Sequence, residues 1–199
     1  METMEKIPEN EGEACKLFRE LLNEANKRGR LLNVWKILPE GEEVSINLSS
    51  KRYRDFWSKW WGDKDIPQLE IDILIVLDEE TTYKIYGTEK SLGRPTLLGV
   101  EVKYFREDDG KNFYEGIDQA TVYFIVGIDK TALLHLFHPS YSEDRARIHA
   151  KTAETLVKGL ELPIAYVACK LLGNGNFRVY STYYYSSNVS VEEVFHYLR

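Results

Sequence analysis

Residues 69–76 read Leu-Glu-Ile-Asp-Ile-Leu-Ile-Val, an apolar run that carries the carboxylate of Asp72 near its centre. A run of this length, rich in β-branched residues, predicts a buried strand from Leu69 to Leu77. Burying a carboxylate costs free energy unless a cation, a hydrogen-bond donor or a metal ion compensates for it. Asp72 is therefore the first candidate functional residue of the chain.

A second carboxylate, Glu101, lies in the next long apolar run, which predicts a strand over Leu97–Phe105. Because successive side chains of a strand point to opposite faces, Glu101 and Lys103 share one face. If the two strands pair, Asp72 and Glu101 can face each other with Lys103 one step further along. A structural ion pair between Asp72 and Lys103 is the alternative interpretation. The similar triplet Asp-Gly-Lys at 109–111 lies in a polar stretch and is attributed to chance.

Around these two strands the hydrophobic pattern alternates between helical and extended periods. Helices are predicted at 12–28, 112–126 and 142–160, and from Ser190 onward, where a capping-box sequence begins. Further strands are predicted at 31–38, 83–86, 131–137, 164–172 and 177–185, the last two as a hairpin. This order predicts an α/β domain with a mixed sheet flanked by helices.

The composition is that of an ordinary folded domain, with 43% hydrophobic and 29% charged residues among 199. We therefore expect a single domain over residues 1–199 and exclude fibrous and disordered classes. The chain shows no membrane-spanning run and no secretory signal, so it is expected to be cytoplasmic and without a membrane partner. Cys15 and Cys169 are too few for an iron–sulfur cluster and are expected to be buried thiols. The net charge of −6 does not exclude nucleic acid, because local basic patches carry that binding.

A basic and aromatic segment precedes the Asp72 strand, within an expected insertion over about residues 39–66. Its candidate nucleic-acid-binding residues are Lys51, Arg52, Arg54, Trp57, Lys59 and Trp60. Cations contact phosphates and aromatic rings stack on exposed bases, so this mixture suits single-stranded or distorted DNA. The alternative is that the tryptophans belong to a core and the cations to a solvated surface.

The sequence resembles a known family at this point. Asp72, followed after 28 intervening residues by Glu101-Val102-Lys103, resembles the signature of the PD-(D/E)XK nucleases. Downstream, Gln119 and Tyr123 form a Gln-x-x-x-Tyr pattern that is similar to the extra motif of RecB-like and Cas4-like nucleases. The chain has two cysteines, not the four that hold an iron–sulfur cluster in Cas4-like members, so that branch is disfavoured.

The resemblance implies a fold, a metal ion and a reaction. It covers about residues 10–137 and implies a restriction-endonuclease-like core, with a C-terminal α/β extension over about 140–199. The implied activity is hydrolysis of DNA phosphodiester bonds, as endonuclease or exonuclease, with a role in DNA repair or recombination. Asp72, Glu101 and the Val102 carbonyl would hold Mg²⁺, or Mn²⁺ as a substitute. Lys103 would then orient or deprotonate the attacking water.

Further residues complete the implied site. Gln119 and Tyr123 lie one helical turn apart and would brace the site or touch the DNA backbone, the alternative being ordinary helix-surface positions. An acid on the first helix also belongs to the pattern, and the candidates are Glu20, which we include in the site, and Glu13. DNA is the expected partner, and a homodimer is left open. The rival hypothesis is a catalytically inactive nucleic-acid-binding or assembly module that retains the nuclease fold.

Overall fold

The computed structural model of the chain describes residues 7–38, 71–125, 127–172, 175–181 and 185–199. The elements within these ranges are α1 (Glu11–Lys27), β1 (Val34–Ile37), β2 (Ile73–Ile85), β3 (Thr88–Phe105), α2 (Ile117–Ile125), β4 (Lys130–Phe137), α3 (Glu143–Gly159), β5 (Ile164–Leu171), β6 (Phe177–Tyr180), β7 (Tyr185–Val189) and α4 (Val191–Leu198). The nucleic-acid-binding candidates of residues 51–61 lie outside the described residues and stay a prediction.

The seven described strands form one mixed sheet in chain order, from β1 to β7. The first three strands pair antiparallel, β3 to β5 pair parallel, and the last three pair antiparallel again. Parallel neighbours need a crossover connection, and α2 and α3 provide the two that this sheet requires. The predicted α/β class, with a mixed sheet flanked by helices, is therefore confirmed.

Helices cover both faces of the sheet. On one face α1 and α4 pack through apolar side chains such as Phe18 and Phe195, and on the other α2 and α3 pack through small residues such as Ala120 and Ala150. Seven of the eight residues of β4 are buried, as expected for a parallel strand covered on both sides. No helix of the described residues has the length and apolar character to span a membrane. Both cysteines are buried, as predicted.

The predicted short strand at 83–86 is wrong, because β2 is continuous from Ile73 to Ile85. It forms a hairpin with β3 through a two-residue turn, in which Tyr86 has φ 49° and Gly87 has φ 79°. Two successive positive φ angles give a turn whose twist matches the flanking strands. The polar stretch at 78–82 hides this continuity in the sequence, because its side chains are exposed or half-buried and need no apolar pattern.

Other predicted boundaries also differ from the observed ones. The helix predicted over 112–126 begins only at Ile117, because Gly116 has φ 78°, which no right-handed helix contains. The strand predicted over 177–185 is observed as β6, which ends at Tyr180, and the next strand, β7, begins at Tyr185 and pairs antiparallel with β6. In the described residues β2 begins at Ile73, so Asp72 lies directly before the strand rather than within it.

Candidate functional site

The candidate site lies where β3 continues beyond the end of its ladder with β2. Within the described residues that ladder ends at Val100 of β3. Beyond it, the Val102 N–H donates to Asp72 Oδ2 at 2.7 Å, and the Tyr104 N–H donates to Glu11 Oε2 at 3.4 Å. Buried backbone N–H groups require acceptors. Along the edge of β3 that no longer pairs with β2, the two carboxylates provide them. The hydrogen bonds to Val102 and Tyr104 thus bring Asp72 and Glu11 to the same edge of β3.

Lys103 connects the carboxylates of this edge. Its Nζ lies 2.7 Å from Glu101 Oε1 and 3.1 Å from Glu11 Oε1. A second ammonium is close by, because Lys111 Nζ lies 2.6 Å from Glu11 Oε2 and donates to the Tyr104 carbonyl at 3.0 Å. The triplet at 109–111, attributed to chance in the sequence, thus contributes its lysine to the site. The predicted placement of Glu101 and Lys103 on one face of the strand is confirmed by their contact.

The two residues of the Gln-x-x-x-Tyr pattern have different environments. Tyr123 of α2 is fully buried, and its hydroxyl donates to Glu101 Oε2. Gln119, one turn earlier, is exposed on the helix surface. The alternative that both are ordinary surface positions is therefore wrong for Tyr123. A contact between Gln119 and DNA stays a prediction.

One face of α1 is turned toward Asp72. Glu11, Cys15 and Arg19 follow one another at intervals of four residues, which places them on the same side of the helix. The Cys15 Sγ lies 3.5 Å from the Asp72 carbonyl oxygen, and the Arg19 guanidinium donates to the same oxygen. These contacts hold Asp72 out of the strand ladder while its carboxylate reaches the edge of β3.

The first-helix acid that meets Lys103 is Glu11, not the Glu20 or Glu13 chosen from the sequence. Glu13 is half-buried and Glu20 is exposed, and Glu20 lies nine residues, or about 13 Å along the axis, from Glu11. Sequence reasoning missed Glu11 because the predicted helix began one residue later. One feature of the sequence could have identified Glu11. It lies four residues before Cys15 and eight before Arg19, on the same side of the helix and beside its apolar stripe.

Burial makes two carboxylates of the site, Glu101 and Asp72, unusually weak acids. Burial, and after it repulsion from Asp72, raises the pKa of Glu101 to about 7. Burial likewise raises the pKa of Asp72. Burial would lower the pKa of Lys103, but its ion pairs with Glu101 and Glu11 outweigh that effect and raise it. Burial would raise the pKa of Glu11, but Lys111 and Lys103 together lower it. Lys103 is therefore a firmly protonated ammonium beside two acids that resist ionisation.

The donor set fits a hard divalent cation. Glu101 Oε1 is buried and has Lys103 Nζ beside it, yet among the described residues no donor reaches it in hydrogen-bond geometry. The N–H and C=O of one strand residue point to the same side, so the Val102 carbonyl faces the edge where Asp72 accepts. In the described part of the chain no three His, Cys, Asp or Glu side chains are grouped to hold a metal by themselves. Mg²⁺ commonly binds only one or two carboxylates and takes waters and substrate phosphate as its other ligands.

Four side chains predicted from the sequence are thus close together in the structure: Asp72, Glu101, Lys103 and Tyr123. Val102 contributes its backbone to the same site, and Gln119 and Glu20 are on the surface. Comparisons of the chain with protein-family models, with curated proteins and with solved structures find no match. Any proposal of function therefore rests on the sequence motifs and on the geometry of the site.

Proposed function

We propose that this chain is a metal-dependent nuclease that hydrolyses DNA phosphodiester bonds. The observation that carries the proposal is the convergence of Asp72, Glu101 and Lys103 at the edge of β3. The order of helix, three antiparallel strands, crossover helix and parallel fourth strand supports the restriction-endonuclease-like core that the sequence resemblance implies. An acid from α1 and a buried tyrosine from α2 complete the surroundings of the site.

Asp72, Glu101 and the Val102 carbonyl would hold the Mg²⁺ or Mn²⁺ ion. When bound, this cation supplies Lewis-acid polarisation of the scissile phosphate and lowers the pKa of a bound water. Lys103 is an ammonium with a raised pKa, so it orients the attacking water and offsets transition-state charge rather than removing a proton. The Tyr123 hydroxyl fixes Glu101 through Oε2 and leaves Oε1 on the side of Lys103.

The charge balance of the site also suits a phosphodiester. The three carboxylates of Glu11, Asp72 and Glu101 balance the three cations of Lys103, Lys111 and Arg19, so the charges sum to zero when all are ionised. A divalent cation raises the sum to two positive charges, which attract a phosphate. The metal ion should therefore strengthen DNA binding at this edge.

The test is a cleavage assay on labelled single-stranded, duplex and branched DNA with Mg²⁺ or Mn²⁺. Lys103→Ala should lower the cleavage rate by at least about 10²-fold, because the positioned ammonium no longer stabilises the transition state. Lys130→Ala is the matched control, since Lys130 pairs with Glu79 at the start of β4. Cleavage by Lys103→Ala at the wild-type rate would refute the mechanism.

Calcium separates binding from chemistry. Ca²⁺ tolerates loose coordination and should support DNA binding without turnover at the same site. Rapid turnover in Ca²⁺ alone would contradict the proposed mechanism. DNA binding with no cleavage in Mg²⁺, Mn²⁺ or Ca²⁺ would favour the inactive nucleic-acid-binding module instead.

A further inference from the structure

A buried pair of histidines lies next to Lys103 in the sheet. His135 of β4 is the ladder partner of Lys103 and is fully buried. Its Nδ1 lies 3.0 Å from His149 Nε2 and 3.0 Å from the Tyr166 hydroxyl oxygen. Its other ring nitrogen, Nε2, lies 3.0 Å from the carbonyl oxygen of Glu115, in the connection between β3 and α2. Every ring nitrogen of His135 therefore has a partner.

The partners of His135 determine where its proton lies. Burial, and after it the neighbouring His149, lowers the pKa of His135 to about 3, so the ring is neutral near pH 7. A carbonyl oxygen can only accept, so Nε2 carries the proton and donates it to Glu115. Nδ1 then offers a single lone pair, which His149 Nε2 and the Tyr166 hydroxyl approach from 3.0 Å each and share. The imidazole is held in one orientation and one tautomer, with its donor aimed at the connection.

The connection between β3 and α2 packs against the Lys103 side chain. Gly116 follows Glu115 directly and has φ 78°. A Cβ at Gly116 would lie 3.0 Å from Lys103 Cγ, 3.1 Å from Lys103 Cε and 2.8 Å from Leu133 Cδ1. These distances are too short for a side chain, so only a glycine backbone fits here. The aliphatic part of Lys103 therefore lies against the backbone that His135 holds.

We propose that His135 is a positioning residue for Lys103. Its Nε2–H fixes the Glu115 carbonyl, and this bond keeps Gly116 against the lysine stem, which directs Nζ toward the carboxylates of the site. His149 and Tyr166 hold the ring for this task. The kinetic consequence rests on the proposed nuclease function, whereas the position of Lys103 can be measured without any activity.

Two substitutions separate the ring nitrogens of His135. The side-chain amide of His135→Gln reaches about as far as Nε2 and can donate to Glu115, whereas that of His135→Asn reaches only as far as Nδ1. Losing a neutral hydrogen bond costs about 0.5–1.5 kcal/mol, so His135→Asn should lower kcat for DNA cleavage roughly three- to twelvefold with KM unchanged. His135→Gln should stay within about twofold of wild type. A purely structural histidine would give equal rate losses in both variants.

The second readout needs no cleavage. A Cβ at Gly116 would lie 3.0 Å from Lys103 Cγ, so the protons of the two residues should give a nuclear Overhauser cross-peak, with the lysine signals assigned by Lys103→Arg. This Gly116–Lys103 cross-peak should weaken in His135→Asn and persist in His135→Gln. His196→Asn, at an exposed position of α4, is the control and should leave the cross-peak unchanged. If wild type cuts no DNA while the cross-peak still weakens in His135→Asn, the nuclease proposal fails and the positioning role stands.

Three results would overturn the positioning role. These are an unchanged Gly116–Lys103 cross-peak in folded His135→Asn, equal rate losses in the Gln and Asn variants, and a weakened cross-peak in folded His135→Gln. If His135→Asn does not fold, His135→Gln carries the test alone, because it must fold and keep the cross-peak of wild type.

Discussion

Two charged clusters lie along β3, and they treat their acids differently. Near the start of the strand, Asp129 accepts from both terminal nitrogens of Arg94, at 2.7 and 2.8 Å, and from the Leu97 N–H at 2.9 Å. Near its end lie the half-buried Asp72 and the buried Glu101, and burial, followed by repulsion from Asp72, raises the pKa of Glu101. Both oxygens of Asp129 accept hydrogen bonds. Among the described residues, no donor reaches Glu101 Oε1 in hydrogen-bond geometry.

This difference distinguishes a structural ion pair from a candidate site. A bidentate guanidinium matches one carboxylate in charge and geometry, so a metal ion has nothing to add at Asp129. At the other cluster, burial raises the pKa of Asp72 and raises that of Glu101 to about 7. Ionising an acid whose pKa is raised by burial lowers the free energy of unfolding. A bound divalent cation would offset that loss. The same strand therefore borders one cluster that is a complete ion pair and one whose acids have raised pKa values.

The largest expected effect separates the two clusters by activity. Asp72→Asn should lower Mg²⁺-dependent cleavage by about 10³-fold, or about 4 kcal/mol, because it removes a charged metal ligand. Asp129→Asn removes the same charge from the other cluster and should stay within about threefold of wild type. Steady-state rates on one DNA substrate give the comparison. Similar losses in both variants would show that the clusters do not differ in function.

The next effect concerns pH in the metal-free protein. Glu101 is protonated up to about pH 7 in the folded state but only up to about 4.5 in the unfolded chain. Its contribution to stability is therefore complete below about pH 4.5 and is lost as pH rises through 7. Glu101→Gln should abolish this loss, which amounts to about 3 kcal/mol between pH 4.5 and 8. Urea unfolding of both proteins at these pH values measures it.

The buried histidines make stability depend on pH in the opposite sense to Glu101. Burial lowers the pKa of His135 to about 3 and that of His149 to about 4, so their contribution is lost as pH falls below about 6.5. Both histidines are present in wild type and in Glu101→Gln, so the difference between the two proteins cancels their effect. Parallel stability curves for the two proteins would contradict a raised pKa at Glu101.

The third effect tests the structural cluster. Asp129→Ala should lower the free energy of unfolding by about 2 kcal/mol, because charge-assisted hydrogen bonds to Arg94 and Leu97 are lost. Asp72→Asn should cost less or even stabilise the metal-free protein, since it removes a buried charge whose side chain can still accept from Val102. Urea unfolding at pH 7 without metal compares them. A greater loss in Asp72→Asn would reverse the interpretation of the two clusters.

The smallest effect concerns the exposed member of the Gln-x-x-x-Tyr pattern. Gln119→Ala should slow cleavage roughly three- to twelvefold if its amide hydrogen-bonds the DNA backbone. Stability should change by less than about 0.5 kcal/mol, because the side chain is exposed. Asp118→Ala, the exposed neighbour on α2, serves as the control. A wild-type rate and wild-type DNA affinity in Gln119→Ala would show that the match to the motif is accidental at this residue.

Local patterns in the sequence predicted most of the helices and strands, and they identified Asp72, Glu101, Lys103 and Tyr123 in the site. The helices observed at Glu11–Lys27 and Glu143–Gly159 lie within one residue of those predicted at 12–28 and 142–160, because caps and apolar period are properties of a few neighbouring residues. Strand alternation placed Glu101 and Lys103 on one face for the same reason.

Only the tertiary structure decided which other residues meet them. Glu11 and Lys103 are 92 positions apart, and the contact between them depends on where α1 crosses the end of β3. The same holds for Lys111 beside Glu11, for the burial of Tyr123 with Gln119 left exposed, and for the bond from His135 to Glu115. The pKa of each acid depends on burial and on charges brought in from distant segments, which no local pattern contains. The sequence therefore identified Asp72 and Glu101, and packing decided that Glu11 shares Lys103 with Glu101.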